Sequence, residues 1–155
     1  MIKYCLITLL VVFSDQISKY CIKSSFNINN SKDIIGSFLR FSYVENSGLV
    51  FGIPASSIIY YTVVLLSLFI IFYIYHFEMK QAIKGLPVTK LKLVSCALIL
   101  GGAIGNVIDR FFVIFRLFEY KGVVDFISVG IGEYIRFPYI FNLADTSVTI
   151  GIILY

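Results

Sequence analysis

Two aspartates near the end of the chain, Asp125 in GVVDFI and Asp145 in FNLAD, stand among apolar residues. A carboxylate in such surroundings is costly and is rarely there without a use. Two carboxyl groups brought together at a dry boundary cannot both ionise cheaply, so one holds its proton while the other does not. That is the state an acid–base pair needs at neutral pH. The pairing requires the apolar stretch around Asp125 to dip back to the level of Asp145.

Other polar residues interrupt apolar runs at helical spacing. Asn142 lies three residues before Asp145 and shares its face. In GGAIGNVIDR, Gly101 and Gly105 form a small-xxx-small pair that permits close helix approach. Gly102, Asn106, Asp109 and Arg110 follow at spacings that put them on nearly one face. Asp109 and Arg110 can pair with each other or across helices, and both read as supporting groups. In SDQISK, Asp15 and Lys19 stand four apart, a spacing that favours an internal ion pair anchoring the helix over a catalytic role. Asn46, beside two glycines in ENSGLVFG, reads either as a turn residue or as an amide for a peptide substrate. The plain alternative for all these clusters is helix–helix glue. The two Asp residues with asparagine oxygens are also a conceivable Mg²⁺ or Ca²⁺ set. A Ser–His–Asp arrangement fails, because His76, the sole histidine, falls a membrane thickness from Asp145. Cys5, Cys21 and Cys96 form no CxxC pair and read as packing residues. No metal or other cofactor is expected.

The elements that must position these groups are membrane helices. The 155-residue chain is 59% hydrophobic and 14% charged, with a mean hydropathy of +0.91. A core of this size cannot hide that much apolar surface, so lipid must cover much of it. The net charge of +4 is scattered and forms no basic stripe for nucleic acid. Four segments approach the roughly 20 residues needed to span a bilayer: about 2–22, 56–77, 91–114 and 138–155. Asp15 and Lys19 follow the first apolar run with no cleavage-type site between, so it reads as a retained helix. The fourth span is expected to start at Pro138, a favourable first helical residue, which places Asp145 on the order of 10 Å below its outer end. Lys80, Lys84, Lys90 and Lys92 put the connection of the second and third spans in the cytoplasm, with both termini. The two opposite loops are rich in aromatic and β-branched residues and predict a small β-rich platform. The expected fold is an all-α membrane protein, a single domain over 1–155 built as a four-helix bundle with an extracytoplasmic β platform.

Taken in order, Asp15-Gln16-x-x-Lys19, Asn46-x-Gly48-x-x-Phe51-Gly52, Gly101-Gly102-x-x-Gly105-Asn106-x-x-Asp109-Arg110, Val124-Asp125-Phe126 and Phe141-Asn142-x-Ala144-Asp145 resemble the lipoprotein signal peptidase (signal peptidase II, prolipoprotein signal peptidase) family across nearly the whole chain. The resemblance implies an aspartyl endopeptidase of the bacterial inner membrane that cuts prolipoproteins before a diacylglyceryl-modified cysteine. It implies Asp125 and Asp145 as the catalytic pair. Asn106, Asp109, Arg110 and Asn142 would support it, Asn46 would support it or touch substrate, and Asp15, Lys19 and Gly105 would be structural. The implied partners are prolipoproteins, membrane lipid and the cyclic peptide inhibitor globomycin. Leu49 and Val50 are larger than the family's usual residues there, and the stretch from Arg110 to Asp125 is longer than usual. The competing class is a small four-helix transporter or channel subunit with an intramembrane polar site, which predicts flux rather than proteolysis.

Overall fold

The computed structural model describes residues 1–47, 57–131 and 135–155, with side chains of the second helix from residue 60 onward. The expectation about Leu49 and Val50 lies outside the described residues. The chain runs α1 (Ile2–Ser25), β1 (Ser31–Ile35), β2 (Leu39–Asn46), α2 (Ser57–Tyr73), α3 (Lys90–Ile114), β3 (Val123–Ile131), β4 (Ile135–Arg136) and α4 (Leu143–Leu154). A π-helical segment, Ile74–Met79, and a final α turn, Lys80–Ile83, prolong α2. Among the described residues three helices are long and apolar enough to cross a bilayer: Ile2–Ser25, Tyr60–Ile83 and Lys90–Ile114. α4 is apolar but has only 12 residues.

α3 is the central helix and packs against both α1 and α4, which also touch each other. Its glycines make this possible. A Cβ on Gly101 would lie 2.6 Å from Val11 Cβ, and one on Gly105 would lie 2.7 Å from Asp15 Oδ2. Gly102 abuts the Ala144 carbonyl in the same way. The expected close approach at Gly101 and Gly105 is therefore real, and it brings α1 and α4 near enough for short polar side chains to meet. The outward faces of α1 and α2 carry exposed Leu9, Leu10, Phe13, Leu65, Leu66 and Phe69, the surface that lipid is expected to cover.

Two apolar cores bracket a polar layer. One packs Tyr4, Ile74, Met79, Leu93, Cys96, Ala97 and Leu100. At the other end Ile22, Tyr43, Val124 and Phe126 pack with Leu143. Between helices in lipid such clusters hold by close van der Waals packing rather than by exclusion of water, and they fix the layer between them. The π-helical segment turns Glu78 inward, where Lys92 Nζ lies 2.8 Å away and the Tyr155 hydroxyl donates at 3.0 Å. His76 instead stacks on Phe72, with ring centroids 5.3 Å apart.

The two β-rich loops form one four-stranded antiparallel sheet in the order β1-β2-β3-β4. β2 contributes the first loop and β3 the second, with Val44 opposite Asp125 and Asn46 opposite Val123. α3 absorbs Phe111–Ile114 of the long connection. The rest turns through left-handed Arg116, Phe118 and Glu119, and Phe112 packs against Phe118 and Tyr120.

Two boundaries differ clearly from expectation, the second helix running on to Ile83 where an end near residue 77 was expected. The last helix starts at Leu143, not at Pro138. The Phe141 backbone is taken by β3, donating to and accepting from Ile127, so it cannot enter a helix. Asn142 then caps the helix: its Oδ1 accepts from Asp145 N–H at 2.9 Å, and its own N–H donates to Asp145 Oδ2 at 3.2 Å. Asp145 thus sits in the first helical turn, beside the sheet rather than deep within a span.

Candidate active site

The polar layer begins with Lys19 of α1, which is fully buried with Asp15 and Asp109. A buried ammonium is tolerable only when its donors are matched. Lys19 Nζ lies 2.7 Å from Asp15 Oδ2 and 3.0 Å from Asp109 Oδ2, and it donates to Asn106 Oδ1 at 3.0 Å. The expected Asp15–Lys19 pair forms, and it recruits Asp109 from α3. Asp109 therefore pairs with Lys19 and not with Arg110, whose Nη1 donates to the Asn106 carbonyl at 3.1 Å.

Each carboxylate of this anchor also reaches the chain that carries a candidate catalytic aspartate. Asp15 Oδ1 accepts from Ala144 N–H at 2.9 Å, next to Asp145. Asp109 Oδ2 accepts from Val124 N–H at 3.1 Å, next to Asp125. Gln16 completes the anchor by donating to Asp109 Oδ1 at 3.0 Å and to the Gly105 carbonyl at 3.1 Å. Its part was not foreseen. The sequence offered Gln16 only as a member of the Asp15-Gln16-x-x-Lys19 motif, with no partner assigned to its amide.

Above the anchor lie the two aspartates, joined through asparagines. Asn142 Nδ2 donates to Asp125 Oδ1 at 2.7 Å, while its backbone N–H reaches Asp145 Oδ2. Asn46 Nδ2 donates to Asp125 Oδ2 at 3.1 Å. Asn106 Nδ2 donates to Asp145 Oδ1 at 2.8 Å, and its Oδ1 accepts from Asn142 Nδ2 at 3.1 Å. Every oxygen of both carboxyl groups thus has an amide donor, which fixes their rotation and turns them toward the same asparagine. Of the residues singled out in the sequence, Asp15, Lys19, Asn46, Gly105, Asn106, Asp109, Asp125, Asn142 and Asp145 all converge here, and Arg110 borders them.

The two environments differ. Asp125 is 5% exposed, on a buried strand. Burial, and after it the charge of Asp145, pushes its acid up to about 7, against the opposing hydrogen bond from Asn46. Asp145 is partly exposed and occupies the first turn of α4, where the positive end of the helix accommodates a carboxylate. Asp125, an acid held up to about 7, thus shares one hydrogen-bonded set with the partly exposed Asp145, an arrangement that suits an acid–base pair at neutral pH.

The architecture is that of a bacterial membrane enzyme. Two structures described as bacterial membrane enzymes, obtained by the in meso method at 2.3 and 1.9 Å resolution, superpose with TM-scores of 0.81 and 0.80. Both are 32% identical in sequence; each match covers 99% of this chain, with 85% and 90% of the respective enzymes. The chain belongs to the signal peptidase (SPase) II family, whose pattern matches residues 7–155. It is 39% identical over 152 residues to the lipoprotein signal peptidase of Moorella thermoacetica, covering 97% of this chain and 88% of that protein. It is 36% identical to that of Lactobacillus johnsonii, covering 97% and 87%. The chain is therefore a protease of the membrane, and the transporter reading is set aside.

Proposed function

We propose that the chain removes signal peptides from prolipoproteins by cutting before a diacylglyceryl-modified cysteine, with Asp125 and Asp145 as the catalytic pair. The observation that carries this reading is the shared hold of Asn142 on both carboxyl groups. Asp145 takes a proton from water, and the water oxygen attacks the carbonyl carbon before the modified cysteine. Asp125 gives its proton to the carbonyl oxygen, forming a tetrahedral diol. The C–N bond then breaks as the proton on Asp145 passes to the leaving amine and the diol returns a proton to Asp125. The reaction draws on two carboxyl groups and water, with no cofactor. Asn46, Asn106 and Asn142 hold the pair in register, Asp109 and Arg110 support it, and Asp15, Lys19 and Gly105 hold the helices together.

The proposed setting is a single domain in the bacterial inner membrane, with α4 as a fourth span and both termini cytoplasmic. Lys80, Lys84, Lys90 and Lys92 on the α2–α3 connection support that orientation. The sheet and the carboxyl pair then lie on the extracytoplasmic side. A diacylglyceryl anchor would deliver the scissile bond to that depth, among membrane lipid. Globomycin is proposed to bind at the same carboxyl pair.

The test is cleavage of two synthetic precursors by the purified protein in EDTA-containing detergent buffer, read by mass spectrometry. The lipid-modified precursor is cut immediately before its cysteine and globomycin blocks the cut, while the unmodified precursor survives. Equal cleavage of both, or a cut elsewhere, contradicts the proposal.

A further inference from the structure

Away from the carboxyl pair, a second set of charged groups surrounds Glu45 on β2, and the reaction as described does not use it. The Glu45 side chain is 3% exposed, although it lies near the surface of the sheet. Its Oε1 takes Lys23 Nζ at 2.6 Å and a short hydrogen bond from the Tyr43 hydroxyl. Its Oε2 accepts from Lys121 N–H at 2.7 Å. Lys23 itself lies over the Tyr120 ring, 4.6 Å from its centroid, and donates to the Glu119 carbonyl at 3.4 Å. One carboxylate thus fastens three pieces of chain: the outer end of α1, strand β2 and the turn that leads into β3.

Phe112 packs against Phe118 and Tyr120 on one side of that turn, and the Glu45 contacts fasten its far end. Arg116, Phe118 and Glu119 are non-glycine residues with left-handed backbones, an arrangement that persists only where the surroundings impose it. The turn ends at Gly122, which is pressed against β2 so closely that a Cβ would come within 2.6 Å of the Asn46 carbonyl oxygen. From there β3 pairs with β2, with Glu45 opposite Val124 and Val44 opposite Asp125. Asn46, the next residue along, is the one whose amide reaches Asp125 Oδ2. The Glu45 contacts therefore set how the turn enters the sheet, and with it the register that places Asp125 beneath Asn46.

We propose that Glu45, clamped by Lys23 and Tyr43, is a positioning residue that acts through Asn46 to aim Asp125. The proposal rests on the reading of Asp125 as catalytic. A charge-assisted bond to a backbone N–H is strong and directional, and small displacements of a reacting group cost rate rather than binding.

The experiment is a double-mutant cycle of Glu45→Ala and Asn46→Ala on the purified chain, with kcat and KM measured separately and amide hydrogen exchange followed over residues 117–125. Glu45→Ala lowers kcat by about tenfold with KM nearly unchanged. It also speeds exchange in 117–125 while the α1, α3 and α4 segments around Lys19 keep their protection. In the Asn46→Ala background the same change costs less than about twofold, because its effect passes through the missing amide. Glu45→Gln, which can still accept from Lys121 N–H, recovers most of the rate and covers the case in which the alanine variant does not fold. Independent, multiplicative effects of the two alanine changes overturn the proposal, as does unaltered exchange over 117–125. Asp125→Asn is the control: activity surviving in that variant sinks the reading of Asp125, whereas its loss alongside multiplicative effects at Glu45 and Asn46 sinks only the clamp.

Discussion

Asn142 donates its side-chain amide to Asp125 Oδ1 at 2.7 Å while capping the helix whose first turn carries Asp145. One residue therefore both starts α4 and joins the two acids. The cap and the amide can be separated by mutation. Asn142→Ser keeps an oxygen for the cap and loses the amide donor to Asp125. It is expected to lose about 1–3 kcal/mol of stability from the unmatched buried acceptors while kcat falls by about a hundredfold. Asn142→Ala loses both, and its stability falls by a further ~1 kcal/mol. Thermal unfolding in detergent and steady-state kinetics check the split.

Lys19 is buried between Asp15 and Asp109, with 0% side-chain exposure for all three. Lys19→Met leaves both carboxylates unmatched and is expected to destabilise the protein by about 3–5 kcal/mol. The exposed Asp33–Arg40 pair on the sheet is a control: Asp33→Asn leaves the melting temperature unchanged. Melting curves of the two variants in the same detergent decide the comparison.

Gly105 gives α1 and α4 room to touch α3. An alanine there puts Cβ 2.7 Å from Asp15 Oδ2 and 3.3 Å from Ala144 Cβ, and Asp15 is held too firmly to yield. Gly105→Ala is expected to cost about 1–3 kcal/mol by overpacking. It should also lower kcat, because Ala144 adjoins Asp145. Denaturation midpoints and initial rates test both effects.

Asp125 holds its proton up to about pH 7. Activity that needs this proton falls as pH rises through about 7. For stability, the folded acid is weaker than the unfolded one. Below about pH 4 both states are protonated, and stability does not depend on this group. Between about pH 4 and 7 the unfolded chain releases a proton that the folded chain keeps, so stability declines with rising pH and levels off above. Asp125→Asn abolishes this component of the stability profile, which melting temperatures from pH 4 to 8 will show.

Much of the site was legible because polar residues are conspicuous in an apolar chain. Asp15, Lys19, Asn106, Asp109, Asn142 and Asp145 could be placed on faces by helical spacing, and they do meet in one layer. Asp125 needed more, since its strand reaches the site through pairing with β2 and bonds to Asp109 and Asn142, contacts between residues far apart in sequence. Pro138 suggested a helix start that pairing of Phe141 with Ile127 prevents. The Asn142…Asp145 spacing was the better local signal, an N-cap followed three residues later by an acid. The π-helical turn at Ile74–Met79 and the contacts of Glu45 arise from tertiary packing and have no local signature.

The most direct test is cleavage of a lipid-modified precursor by purified Asp125→Asn and Asp145→Asn proteins that retain native melting behaviour. The account predicts no detectable product from either variant. Turnover near the native rate in either one would contradict it.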